Sequence, residues 1–208
     1  MKKPVSLFLL SSILILTSFI HRPITWVAVG DSITYINEHL DETRNHITQG
    51  YLTDVTRRLP YVHYSNQGRN GWATDGFARS IDRLGIPIGD VYTVFLGTND
   101  WWQGHHIGSW LDFEGATGDS TVYGSYRIII NKLRSLNNIA PIVLITPMPR
   151  ADFVYINDPK NNAWGSYNDK DGQTLEQVAE AIIDIGRHEH LRVIDLYHDK
   201  SLAVPRHG

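Results

Sequence analysis

Ile24-Thr25-Trp26-Val27-Ala28-Val29-Gly30-Asp31-Ser32 decides the fold: six strand-forming or small residues, a glycine, and a polar pair at the exit. A near-continuous apolar run ended by Gly30 suits a strand covered on both faces. Similar runs recur downstream as Tyr61-Val62-His63-Tyr64, Val91-Tyr92-Thr93-Val94-Phe95-Leu96, Pro141-Ile142-Val143-Leu144-Ile145-Thr146 and Leu191-Arg192-Val193-Ile194-Asp195-Leu196. Helical patterns separate them. Over 174–189, Leu175, Val178, Ala179, Ile182 and Ile183 form one apolar stripe, and Thr174 with Gln177 makes a capping box. Over 122–136, Tyr126, Ile129, Ile130 and Leu133 share a side, and shorter helices are expected over 50–59 and 75–84. Five strands alternating with helices imply right-handed crossovers and an α/β fold, a three-layer α/β/α sandwich.

The chain has 208 residues, 42% hydrophobic and 20% charged, which suits one globular domain. Lys plus Arg number 19 against 22 Asp plus Glu, a net charge of −3, so the chain lacks the positive field that nucleic-acid binding needs. No nucleic-acid partner is expected. Lys2 and Lys3 precede a run of about 16 residues, Val5 to Ile20, broken only by Ser and Thr. That run is shorter than the roughly 20 residues a bilayer span needs. Residues 1–20 therefore read as a signal peptide or signal anchor, residues 21–208 as the domain, and the protein as secreted or periplasmic. Membrane contact would come only through residues 1–20. The chain has no Cys, so neither a disulfide nor a lipid-modified cysteine can form, and stability has to come from the packed core.

In doubly wound sheets, ligands sit at the carboxyl ends of the strands. After the first strand comes Gly30-Asp31-Ser32, which places Ser32 where a nucleophile can face the cleft; the same tripeptide also suits a capped tight turn. After the second comes Asn66-Gln67-Gly68-Arg69-Asn70-Gly71, where a glycine would let a backbone N–H approach a substrate atom. The third ends in Gly97-Thr98-Asn99-Asp100, whose Asn99 amide could donate into the same cleft. Two long loops are expected at 100–121, with Trp101, Trp102, His105, His106 and Trp110, and at 147–173, with Tyr155, Trp164 and Tyr167. The tryptophans could stack on sugar rings, line an acyl pocket, or pack beneath their own loops. His105 and His106 read as solvated surface.

Gly30-Asp31-Ser32, Gly71 in its Asn-x-Gly-x-x-Gly turn, and Gly97-Thr98-Asn99-Asp100 resemble the first three sequence blocks of the SGNH, or GDSL-type, esterase and lipase superfamily. The resemblance implies a flavodoxin-like, five-stranded parallel sheet of order 2-1-3-4-5 and an esterase acting through an acyl-enzyme on Ser32. The Ser32 N–H, the Gly71 N–H and the Asn99 side chain would form its oxyanion hole. No cofactor and no metal are expected, and the substrate would be a small-molecule or glycan ester. A non-catalytic carbohydrate- or ligand-binding domain on the same scaffold is the alternative. Nucleotide binding is disfavoured because the first loop has neither a Gly-x-Gly-x-x-Gly nor a Walker pattern.

The resemblance also implies an Asp-x-x-His block supplying the base, followed by a closing helix. Asp195-Leu196-Tyr197-His198 matches the block, yet Asp195 lies within the last strand pattern and only residues 199–208 follow His198. In the order 2-1-3-4-5 that strand stands three spacings, roughly 14 Å, from the first. The base is therefore expected to be either Asp195 with His198 or a block beyond residue 208, and the sheet is expected to lack its C-terminal closing helix.

Overall fold

In the computed structural model, which describes residues 22–44, 46–150 and 172–202, the expected parallel sheet forms from β1 (Ile24–Gly30), β2 (Val62–Gly68), β3 (Val91–Phe95), β4 (Ile142–Ile145) and β5 (Arg192–Ile194). The strand order is β2-β1-β3-β4-β5. Register aligns the strand ends, with Gly68 beside Gly30, Gly30 beside Phe95, Phe95 beside Ile145 and Ile145 beside Ile194. All five carboxyl ends thus reach one edge, and the loops after β2, β1 and β3 are neighbours there. β2 runs on through the polar residues Ser65, Asn66 and Gln67 because an edge strand needs backbone partners on one side only, and β1 supplies them.

Helices α1 (Ser32–Tyr35), α2 (Tyr51–Arg58), α3 (Thr74–Ser80), α4 (Thr98–Gln103), α5 (Trp110–Gly115), α6 (Val122–Leu136) and α7 (Leu175–His188) connect the strands. The stripes read from sequence are the buried faces. Tyr126, Ile129, Ile130 and Leu133 of α6 are buried, as are Leu175, Val178, Ala179 and Ile182 of α7, where Ile183 is only half-buried and Ile185 joins the core instead. Thr174 Oγ1 accepts the Gln177 N–H at 3.1 Å and Gln177 Oε1 accepts the Thr174 N–H at 2.8 Å, so the capping box forms. The segment 100–121, expected as a long loop, holds α4 and α5. A second capping box, Ser109 with Asp112, starts α5. Short helices of this kind carry too few turns for periodicity to reveal them.

Alternation along β1 divides the apolar side chains between two cores. Val27 and Val29 join Tyr92, Val94 and Leu144 beneath α6 and α7. Trp26 and Ala28 join Leu52 of α2 and Val62 on the opposite face. On that second face, Phe95, Ile145 and Ile194, adjacent in register, border an apolar cavity of about 520 Å3 that reaches Ser32. Ile194 remains 44% exposed, so this face is covered less fully than the other. No described helix is long and apolar enough to cross a membrane.

Candidate active site

Ser32 is the first residue of α1, two residues past the end of β1, an interior strand of the sheet. Asp31 caps that helix, its carboxylate accepting the Ile33 N–H at 2.9 Å. The glycines at the strand ends let α1 sit close. A Cβ on Gly30 would lie 2.0 Å from Thr34 Oγ1, and one on Gly68 would lie 2.2 Å from the Tyr35 backbone nitrogen. These contacts hold the serine at the edge of the sheet, half-buried at the mouth of the apolar cavity. Asp31 itself is buried. Loss of solvation pushes its carboxyl up from 3.8 to about 6, against the opposing Ile33 hydrogen bond, and the Asp100 charge adds to the rise.

Asn99, in the first turn of α4, donates from Nδ2 to the Trp72 carbonyl at 2.9 Å. Gln103, one turn further, donates to the Gly71 carbonyl at 3.0 Å. One helix therefore grips two successive carbonyls of the loop after β2. Gly71 has φ of +74°, a conformation that favours glycine, and open space where a Cβ would stand. Among the described residues its N–H has no hydrogen-bond acceptor. The Asn99 amide carries two hydrogens and gives one to Trp72, so a donor remains on each side of this junction.

The next residue makes a second hook. Asp100 is fully buried and accepts the Thr74 N–H on both oxygens at 3.1 Å and the Thr74 hydroxyl at 2.5 Å. His105 Nδ1 stands 3.5 Å from one oxygen of Asp100 and 3.5 Å from one of Asp75. His105 was expected to be solvated surface; the structure tucks its side chain down to 27% exposure between two carboxylates, and only His106 is exposed. The adjoining Asp100 carboxylate, chiefly, and the Asp75 charge hold the His105 imidazolium above its usual range, against the cost of burial.

Asp195 and His198 also meet. His198 Nδ1 lies 2.8 Å from Asp195 Oδ2, and the Thr146 hydroxyl donates to the other carboxylate oxygen at 3.2 Å. The far nitrogen, Nε2, faces α7, 3.5 Å from Glu180 and 3.8 Å from Glu176. Among the described residues neither Asp195 nor His198 hydrogen-bonds Ser32. The internal geometry of an acid–imidazole pair is present, and its free end is turned to the two carboxylates of α7.

The tryptophans divide. Trp101 is 1% exposed and belongs to the core. Trp110 stacks between Phe113 and His188, at 4.6 and 4.1 Å between ring centres. Trp102 is half-buried, with the Arg150 guanidinium 5.0 Å over its ring. Trp164, Tyr155 and Tyr167 lie outside the described residues, as do residues 1–20. Sequence reasoning missed Trp72, next to Gly71, and the Thr74–Asp100 pair. Asp100 carried a signal in following Asn99 directly: consecutive helical residues diverge by about 100°, so one can face the cleft while the other faces the core.

A sequence profile described as the GDSL-like lipase/acylhydrolase family matches residues 28–206. A solved structure of a "possible lipase" from Chitinophaga pinensis is 59% identical with a TM-score of 0.81, over 86% of this chain and 70% of that one. A lipase/acylhydrolase from Enterococcus faecalis shares the fold at 18% identity and a TM-score of 0.53, covering 86% and 80% of the two chains. A catalytic mutant of an acetylxylan esterase from Geobacillus stearothermophilus does so at 15% identity and 0.55, covering 86% and 78%. No curated protein sequence matches the chain. The profile spans β1 to the segment after β5, including all three loops at the carboxyl edge, and the chain accordingly belongs to the GDSL-like lipase/acylhydrolase family and is a hydrolase of ester bonds.

Proposed function

We propose that the chain cleaves acyl esters through an acyl-enzyme on Ser32, the developing oxyanion being held by the Ser32 N–H, the Gly71 N–H and the Asn99 amide. The observation that carries this reading is the hydrogen bond from Asn99 Nδ2 to the Trp72 carbonyl, which joins two of the three loops beside the serine. A tetrahedral intermediate needs donors about 3 Å from its oxygen, fixed before the reaction begins. Asn99 and Gly71 support this allocation: one amide hydrogen is spent on the loop, and among the described residues the other and the Gly71 N–H are not. The apolar cavity of about 520 Å3 beside Ser32 offers the acyl group an environment poor in water.

The same reading extends to an exported enzyme acting on acylated, acetyl-bearing glycans. Residues 1–20 support export. The half-buried faces of Trp72, beside Gly71, and Trp102 support a sugar-stacking role. Labelling with a fluorophosphonate followed by peptide mapping tests the nucleophile: capture at Ser32 is expected, and an unlabelled protein would favour a binding module on the same scaffold. Acetate release from acetylated xylan or other acetylated polysaccharides tests the glycan extension. Cleavage of short model esters with no release from any such polymer would remove it.

A further inference from the structure

The geometry points to His105 as a positioning residue for the oxyanion donors: seated between Asp100 and Asp75, it sets where the Gly71 loop stands against Asn99. The inference rests on the ester-hydrolase reading above, and in particular on Gly71 and Asn99 as the donors. α4 attaches to the Gly71 loop and its continuation at three places, through Gln103 to Gly71, through Asn99 to Trp72 and through Asp100 to Thr74. The Asp100 hook is the strongest, one carboxylate with no exposure accepting the Thr74 N–H, shared between its two oxygens, and the Thr74 hydroxyl. Such a buried charge is costly unless a cation answers it.

His105 is the group placed to answer. Its backbone N–H donates to the Asp100 carbonyl at 2.8 Å, closing the end of α4. Its ring then lies across to α3, where Asp75 directly follows Thr74. Nδ1 is shielded from solvent and, at 3.5 Å from each carboxylate, completes a hydrogen bond to neither. As an imidazolium it attracts α3 and α4 together at the point where the Thr74–Asp100 hook is made. Without the charge it becomes a neutral ring beside two anions, and the hook loses its counter-ion.

The other charges facing His105 act in known directions. Arg79 on α3 pairs with Asp75 and stands 3.2 Å from Asp119, which lies ahead of α6. Arg79 opposes the imidazolium, and Asp75 and Asp100 favour it. From α6 and its cap, Thr121 and Ser125 border, together with His105, a cavity of about 290 Å3 and are uncharged. His106 next to it is solvent-exposed.

Two readouts separate positioning from mere stabilisation. In 15N-edited spectra of the wild-type chain, the Gly71 N–H and the Asn99 side-chain amide should shift together with pH, with a midpoint above 6.5, and the shift should vanish in His105→Gln. In steady-state kinetics on a short-chain ester, His105→Gln should lose kcat by about tenfold with KM within about twofold, as expected when a transition-state donor is misplaced by a fraction of an ångström. If His105→Gln does not fold, Asp75→Asn serves, and its midpoint should move to lower pH. Amide resonances that ignore pH, a wild-type kcat in His105→Gln, or an unmoved midpoint in Asp75→Asn would each overturn the inference. Ser32→Ala keeps the two questions apart. Its amides should still titrate while turnover is lost, and turnover persisting there would defeat the nucleophile assignment, not the role of His105.

Discussion

Asn99 Nδ2 reaches the Trp72 carbonyl at 2.9 Å, tying the first turn of α4 to the loop that carries Gly71. The bond uses one hydrogen of a two-hydrogen donor, so the amide is held in orientation while its other hydrogen stays available. Replacing Asn99 by Ala removes both. Turnover should fall by about 10² to 10³, the usual cost of one oxyanion donor. Stability should fall by only about 1 kcal/mol, the net worth of one partly buried hydrogen bond. Steady-state kinetics and urea denaturation on the same preparation check the pair, and equal losses of activity and folded fraction would defeat the donor role.

How much of this was legible beforehand follows from the range of the interactions. The strand runs, the α6 and α7 stripes and the Thr174–Gln177 box are patterns within a few residues of one another, and sequence carries them directly. The position of Ser32 followed from β1 being a buried strand that ends in Gly30. What escaped were long-range pairs between short elements. Thr74 and Asp100 are 26 residues apart, and nothing in either local pattern announces the bond. His105 was misread for the same reason: a histidine pair in a polar stretch looks solvated until α3 arrives beside it. Packing of tryptophans beneath their own loops was among the readings the sequence offered, but that Trp101 is the one to turn inward was not legible, because α4 is too short to display a stripe.

Asp31 offers a test of burial next to Ser32. Its carboxyl is raised from 3.8 to about 6, chiefly by loss of solvation, so the folded protein binds its proton more tightly than the unfolded chain does. Between those two values the native state holds more protons, and stability attributable to this group declines as pH rises. A shift of that size corresponds to at most about 3 kcal/mol. Asp31→Asn keeps an oxygen to cap Ile33 and never ionises. The variant should be more stable than wild type at pH 8 by up to about 3 kcal/mol and nearly equal at pH 4. Thermal melts at the two pH values decide it; a difference that does not change with pH would mean that burial is not what governs the group.

Gly71 separates conformation from space. At φ of +74° any other residue is strained, yet nothing lies within 4 Å of where a Cβ would stand. Gly71→Ala should therefore cost about 1 to 2 kcal/mol from the left-handed backbone alone, without a clash. If the loop relaxes to relieve that strain, the N–H turns, and kcat should fall by more than the stability loss accounts for. Chemical denaturation beside kcat would show this, and an unaltered kcat would argue that the Gly71 N–H is not an oxyanion donor.

His198 decides whether the one Asp-x-x-His match serves the serine. Its Nδ1 is engaged with Asp195 at 2.8 Å and its Nε2 is turned to Glu180 and Glu176. A general base has to come within about 3 Å of the hydroxyl it deprotonates. As seated, the ring joins the end of β5 to α7, and His198→Gln should leave kcat within about threefold of wild type. The variant should instead show a small stability defect with a defined pH window. Hydrogen bonding to Asp195 raises the imidazolium above 6.5, so its contribution is complete below that value and disappears as pH rises through the raised one. For Asp195, burial works upward but the His198 hydrogen bonds prevail and hold the carboxyl below 3.8, so its contribution is present above that value and lost on acidification through the lowered one. The pair therefore stabilises most between about pH 4 and 6.5, by a few tenths of a kcal/mol for so exposed a contact. Differential melts of wild type and His198→Gln at pH 5 and pH 9 should show the defect at the first and not the second. A fall in kcat of a hundredfold or more, with melts unchanged, would instead make His198 the base and require its ring to leave α7 and turn toward Ser32 during catalysis.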